Sequence, residues 1–335
     1  MSDRNERKRL SRWTTAAVLA VALAVPSLAA AADAVQLRFA TVGIGSAWYN
    51  YGAGIADLVK PNLPKGSTVD VLPIAGTVGN MKLLQSGETE LGLSFPNVAA
   101  EGCGGFGSFD KKTDKVRGLM GGLDTYYYGT FVTVKSGINS WDEIAAGKAR
   151  MTTTRVGGSG ELGLRQILAL YGSSKKDVAA KGGSVKSLKR PATAAAIADG
   201  KADGWSHVVT KGHPVATELT TLADMKMLPL SDAVIKGMVE KHGWVEAVIP
   251  PNTYKGQTGP IKTVKAATNI MIREGVSDEV AYIITKTIIE NAAKVRKVHA
   301  GLSGFDPKGV AKAGLVGNCP FHPGAAKYYK EKGMM

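Results

Sequence analysis

Three times in this chain a short run of strand-forming residues turns through a glycine-bearing bend straight into a helix, which restricts the fold to α/β layers. The first is LRFATVGIGSAWYNYGAGI, residues 37–55. Leu37, Phe39 and Thr41 alternate as a strand requires, Gly43 and Gly45 permit the turn, and Ser46 is placed to cap a helix continued by Trp48, Tyr51 and Ile55. The second leads from a strand at 69–73 through Ala75 and Gly76 into a helix whose N-cap is expected at Thr77. The third follows MTTTR with Gly157, Gly158, Ser159, Gly160 and Glu161. Such a bend offers free backbone N–H groups and the positive end of a helix dipole, both suited to an anion.

Several chemistries fall away on inspection. The first bend fails the dinucleotide fingerprint, because Trp48 stands at the third glycine position and only Asp70 is a late candidate for the ribose-binding acid. No cofactor is expected. The third bend resembles a nucleophile elbow only in outline, since Glu161 replaces the final glycine, and neither His207 nor His213 completes a credible triad. No catalytic residue is assigned. The five histidines show no metal-ligand spacing, so no metal site is expected.

The candidates that remain are binding residues. Ser46, Thr77 and Asn80 sit at helix starts, which face the ligand-binding edge of a parallel sheet. Arg155 suits a carboxylate, which a guanidinium grips bidentately, or is a plain exposed strand-end charge. His207, after Trp205, lines a pocket or packs within its own layer. One ring of the Tyr126-Tyr127-Tyr128 run must point out of the core, because adjacent strand residues face opposite ways.

Residues 1–32 read as a cleavable signal peptide: Arg4, Arg7, Lys8, Arg9 and Arg12, then an apolar stretch from Thr14 to Leu28, then four alanines. The expected location is the periplasm. The leader holds five of the 42 Lys/Arg and two of the 28 Asp/Glu, so 37 basic face 26 acidic side chains and the remainder carries about +11. The lysines are scattered and not interleaved with aromatics, which argues against nucleic acid and for anionic small molecules or partner surfaces. Cys103 and Cys319 would meet an oxidising compartment, where a disulfide and two free thiols are both open.

Strands are expected at 36–41, 69–73, 91–95, 116–121, 129–134, 150–154, 184–188, 225–230, 245–249 and 264–272, with helices at 46–60, 77–86, 140–146, 160–171, 191–199, 213–222, 231–242, 277–299 and 323–331. Two extended segments, 126–134 and 264–272, flank a block that reads as an inserted α/β domain. The expected division is lobe I at 33–128 and 266–335, and lobe II at 129–265, with a ligand cleft between them and hinge motion about the two segments.

In this order the pieces resemble the TAXI family of solute receptors, the binding proteins of one class of TRAP transporter, over nearly the whole chain after the leader. GIGSAWYNYGAGIADLV is similar to the family's G-x-x-x-G-x-x-Y opening, with Ala47-Trp48 in place of small residues before Tyr49. AGTVGNMKLLQSGETELGLSFPNVA resembles its G-S-V-E-N-L-x-L-L-x-S-G-E-A-D-L segment, with Thr77 for serine and Gly79 for glutamate. GGSGELGLRQILALYG resembles the P-G-S-G-T turn, IPPNTYKGQ the I-P-x-x-x-Y-x-G-Q segment, and Phe321 to Ala325 the C-terminal L-H-P-G-A.

The resemblance implies a type II periplasmic-binding-protein fold without catalysis, acting as a monomer that hands a small organic acid, such as a carboxylate or amino acid, to TRAP membrane permease subunits. It places Gly45, Ser46, Tyr49, Thr77, Asn80, Gly158, Ser159 and Gly160 around the ligand. Glu161 stands where threonine is usual and is suited to an ammonium; Phe95-Pro96-Asn97 replaces a polar Q-S-D, so Phe95 suggests a partly apolar ligand beside Asn97. An exported enzyme on the same scaffold and a ligand-sensing subunit docking on a sensor kinase remain as alternatives.

Overall fold

Two sheets divide the chain, and the order in which the chain visits them creates the site. The structure is a computed structural model that describes residues 33–335; the expected signal peptide lies outside the described residues. The first sheet opens with β1 (Gln36–Ala40), α1 (Ala47–Val59), β2 (Thr68–Leu72), α2 (Thr77–Ser86), β3 (Leu91–Ser94), α3 (Pro96–Gly104) and β4 (Val116–Met120). The second holds β5 (Tyr126–Thr133), α4 (Trp141–Ala145), β6 (Arg150–Thr153), α5 (Ser159–Leu170), α6 (Lys175–Ala180), β7 (Ser184–Ser187), α7 (Arg190–Ala198) and β8 (Gly204–Val209). It continues through α8 (Pro214–Leu222), β9 (Met225–Met227), α9 (Asp232–His242), β10 (Val245–Ile249) and β11 (Ile261–Ala266). The chain then returns to the first sheet with β12 (Asn269–Arg273), α10 (Asp278–Glu290), α11 (Ala292–Val298) and α12 (Pro323–Glu331).

The five-stranded order is β2-β1-β3-β12-β4, and the larger sheet runs β10-β11-β5-β8-β6-β7 with β9 also on β5. β2, β1 and β3 are parallel, whereas β12 is antiparallel to both its neighbours. Leu91 and Leu93 are buried on one side of β3 and Ser94 on the other, so the strand is covered on both faces, as parallel sheets require. α1 covers one side with Trp48, Tyr51, Ile55 and Val59, spaced at helical intervals. α2 and α3 cover the other, where Met81, Leu84, Val98 and Ala99 cluster with Met271 of β12.

The two connections between sheets lie side by side. The outward crossing is 121–125 and the return is Ala267-Thr268. The N–H of Leu123 donates to the Thr268 carbonyl at 3.0 Å, and the N–H of Thr268 donates to Asp124 Oδ1 at 2.8 Å. Trp48 Nε1 adds a bond to Thr268 Oγ1 at 3.0 Å. The segments expected as hinges therefore break differently: 126–133 belongs wholly to the second sheet, and 264–272 is two strands in different sheets. The expected long helix at 277–299 is likewise two, parted at Asn291. α3 was not expected, although Pro96 in its first turn marks a helix start.

Cys103, near the end of α3, is disulfide-bonded to Cys319 across a sequence separation of 216. Closing so long a loop restricts the unfolded chain, so reduction is expected to cost up to about 5 kcal/mol, read as a lowered urea midpoint with reductant present. An unchanged midpoint would show that the bridge adds no constraint.

Asp124 gives a second prediction. Burial raises its carboxyl to about 6, against the partial opposition of the Thr268 N–H and the Tyr51 hydroxyl. An acid that holds its proton more tightly when folded stabilises the fold fully below its unfolded pKa and loses that contribution as pH rises through the folded one. Wild-type stability should fall by about 3 kcal/mol at most between pH 4 and pH 7, and Asp124→Asn should flatten that slope in urea titrations.

Candidate functional site

All three bends turn on a glycine in the left-handed region: Gly45 at φ +84°, Gly76 at +97° and Gly157 at +77°. At the first, Ser46 caps α1 by accepting the N–H of Tyr49 at 3.1 Å. At the second, the N-cap is Gly76 and Thr77 is the first helical residue, which corrects the expected cap. No side chain caps that end, so the threonine hydroxyl is free to reach elsewhere. Asn80 is fully buried: its Oδ1 accepts the N–H of Gly76 at 3.0 Å and its Nδ2 donates to the carbonyls of Ala40 and Leu93. Both amide hydrogens are spent, so Asn80 shapes the bend from behind.

The third bend is built against the second sheet. Gly158 is the N-cap of α5, again without a side-chain cap, and Thr154 Oγ1 accepts the N–H of Glu161 at 3.2 Å. The Tyr128 hydroxyl donates to the Gly160 carbonyl at 3.1 Å, and a Cβ on Gly160 would lie 2.5 Å from His207 Nδ1, so only glycine allows the helix this close. Ser159 is half-buried at the helix start.

Glu161 does not offer itself to a ligand. Its carboxylate bonds Lys175 Nζ at 2.7 Å and Arg165 Nε at 3.2 Å. Burial alone would raise its pKa, but the ammonium and guanidinium outweigh that and hold it below the usual carboxylate range. His207 packs among Trp205 and His213, with ring centroids 5.4 and 5.5 Å away. Burial, then the neighbouring His213, lowers it to about 3, so it is a neutral ring across the physiological range. Tyr126 and Tyr128 are buried and Tyr127 is half-buried.

The bends meet across the two lobes. Thr77 Oγ1 donates to the Gly157 carbonyl at 3.3 Å, and the Arg155 guanidinium donates to the carbonyls of Ile74 (3.0 Å) and Ala75. Gly76 N–H reaches Thr41 O at 3.2 Å, which brings the first bend alongside. Behind this seam Leu162 of α5 joins the cluster of Val78, Met81 and Val98 from the first lobe. Gln166 Nε2 donates to Glu101 Oε1 at 3.0 Å, and Trp244 Nε1 donates to Gln166 Oε1 at 2.8 Å. Phe95 packs between Trp48 and Tyr126, with centroids 5.0 and 5.5 Å away. Two surface hollows, about 430 Å³ at Lys60–Ser67 and about 330 Å³ beside Arg150 and Lys186, lie away from this seam and bring no buried polar set together.

The profile of the NMT1-like family matches residues 39–333, from the first strand to the last helix. The chain belongs to the NMT1-like family. Solved structures share its fold at low identity. MatC from Rhodopseudomonas palustris with bound malate has TM-score 0.51 and 10% identity, over 80% of this chain and 88% of that one. XAC2383 from Xanthomonas citri bound to chloride ion has TM-score 0.51 and 11% identity, over 88% and 99%. The binding protein component of an ABC phosphonate transporter from Pseudomonas aeruginosa has TM-score 0.50 and 14% identity, over 81% and 80%. The NMT1-like chain thus has the two-lobed α/β fold of periplasmic binding proteins.

Sequence reasoning on this NMT1-like chain named Phe95 and Asn97 but missed the helix α3 that begins between them. Asn97, in the first turn of α3, is 2% exposed and its Oδ1 has no partner among the described residues; Ser94 Oγ and Asn269 Oδ1 are likewise buried and unpartnered there. Pro96 was the available signal. Arg155→Ala removes two hydrogen bonds between the lobes and should favour the open form by about 1 kcal/mol, a roughly fivefold shift. A larger radius of gyration in solution scattering without ligand would register it; an unchanged one would show the contact to be incidental.

Proposed function

We propose that this protein is an extracytoplasmic solute receptor that captures a small organic acid between its lobes and delivers it to the membrane subunits of a TRAP-type secondary transporter, in the manner of the TAXI receptors it resembles. The observation that carries the reading is the meeting of two helix starts, α2 and α5, across the lobes, each with a glycine N-cap that offers no side chain to its first N–H groups. Their free N–H groups and dipoles stabilise an anion held between them. In this reading lobe I carries the first sheet and lobe II the second, with the expected boundaries moved to the crossings at 121–125 and Ala267-Thr268, and the leader ends near Ala32. Gly45, Ser46, Tyr49, Thr77, Gly158, Ser159 and Gly160 face the acid group, and Arg155 closes the mouth.

Malate and chloride, the small anions named with two of the fold neighbours, belong to those proteins and indicate the scale of ligand such a scaffold takes. Micromolar capture needs about 8 kcal/mol, within reach of several charge-assisted hydrogen bonds in a closed cleft. A ligand at a hundred times its Kd should stabilise the protein by about 2.7 kcal/mol, seen as a rise in Tm. Ser159→Ala and Thr77→Ala should each weaken binding. If no small organic acid raises Tm, the receptor reading fails. If one does, yet uptake into vesicles carrying the permease is indifferent to the protein, the delivery step fails.

A further inference from the structure

Besides the three bends, the lobes meet where α5 lies against α3. Leu162 and Gln166, four residues apart, share one face of α5, and Asn97 and Glu101 share one face of α3. Leu162 packs with Val78, Met81 and Val98 of the first lobe, and Arg165 Nη2 donates to Ser108 Oγ at 3.3 Å. Glu101, Gln166 and Trp244 are all buried, so each of their polar groups needs a partner within the protein.

Their hydrogen bonds run in one direction. Trp244 Nε1, which can only donate, bonds Gln166 Oε1 at 2.8 Å. Gln166 Nε2 donates in turn to Glu101 Oε1 at 3.0 Å, and Glu101 Oε2 accepts the Ser108 N–H at 3.0 Å. A carboxylate can only accept, so the residue between it and the indole must accept at one end and donate at the other. An amide does both. Glu101 has no ion pair among the described residues: Arg165 is bonded to Glu161, and burial lowers the pKa of nearby His242. Closing the lobes without the Gln166 amide would therefore bury a carboxylate with a single donor. The first-lobe end of the chain is itself fixed. A Cβ on Gly107 would lie 2.5 Å from the Glu101 carboxyl carbon, so glycine lets the turn after α3 close over it, and Cys103, two residues on, is tied to Cys319.

We infer that Glu101, Gln166 and Trp244 form a latch that holds the lobes closed on one another without touching a ligand, and that Gln166 is the residue that sets closure. Gln166 lies about two turns along α5 from its start. The latch therefore acts whether or not the starts of α2 and α5 take an acid.

Pulsed electron paramagnetic resonance tests it on the purified protein with no ligand added. Nitroxides on Lys65→Cys in the first lobe and Lys186→Cys in the second, both exposed positions, report the separation of the lobes. With the latch intact the short distance should dominate. Gln166→Glu sets two carboxylates face to face and should shift the population toward a longer distance by about tenfold or more. Glu101→Gln, a milder change, leaves one pair of N–H donors opposed and should shift it the same way by about threefold or more. The double variant, Glu101→Gln with Gln166→Glu, exchanges carboxylate and amide, lets every bond of the chain form again, and should restore the short distance. A lowered Tm in Gln166→Glu at unchanged distance would make the contact structural only and overturn the latch. So would a double variant that stays as open as Gln166→Glu, or a long distance in the protein with its latch intact. If Gln166→Glu fails to fold, an unchanged distance in Glu101→Gln overturns it instead. None of these outcomes depends on whether a small acid binds, so the receptor reading stands or falls by its own titration.

Discussion

β12 enters the first sheet between β3 and β4, after the chain has built the whole second sheet. That insertion dictates two crossings between sheets, and hydrogen bonding through Leu123, Asp124 and Thr268 keeps the crossings together. The helix starts after β2 and β6 are brought to a common seam because each follows a parallel strand whose C-terminal end points there. Without β12 the first sheet would lose the antiparallel strand that joins β3 to β4, and the seam would have no fixed geometry.

Electrostatics at the seam follows from how cations are distributed. Although the chain is strongly basic, the positive groups near Glu161 are consumed by that carboxylate. On the receptor reading, an anion would meet mainly dipolar groups, the backbone N–H groups beside the bends at Gly45, Gly76 and Gly157, with Arg155 the cation at the mouth. Such groups do not titrate, so anion capture built on them should not track pH the way a lysine or histidine site does.

Much of this was legible in the sequence, for identifiable reasons. The strand–bend–helix units announced themselves through alternation, glycine and apolar spacing, and Ser46 caps its helix as its position suggested. Thr77 and Asn80 were visible as special without their roles being readable. Gly76 took the cap because its positive φ suits the turn, and Asn80 is held by carbonyls from β1 and β3 that are distant in sequence. Glu161 was misread for a similar reason, since Lys175 lies beyond α5 and its return to the helix start is a tertiary event. The hinge was placed on the long extended runs, whereas the crossings fall in short irregular segments with no periodic signal.

The bridge from Cys103 to Cys319 carries a consequence for biogenesis. The second sheet is contiguous from 126 to 266 and has every partner it needs once that stretch is free. The first cannot be completed until the chain's last segments arrive, because β12, α12 and Cys319 all belong to it. That topology predicts an order of assembly in which the inserted half can mature before its partner, whose slot between β3 and β4 is filled only when β12 arrives.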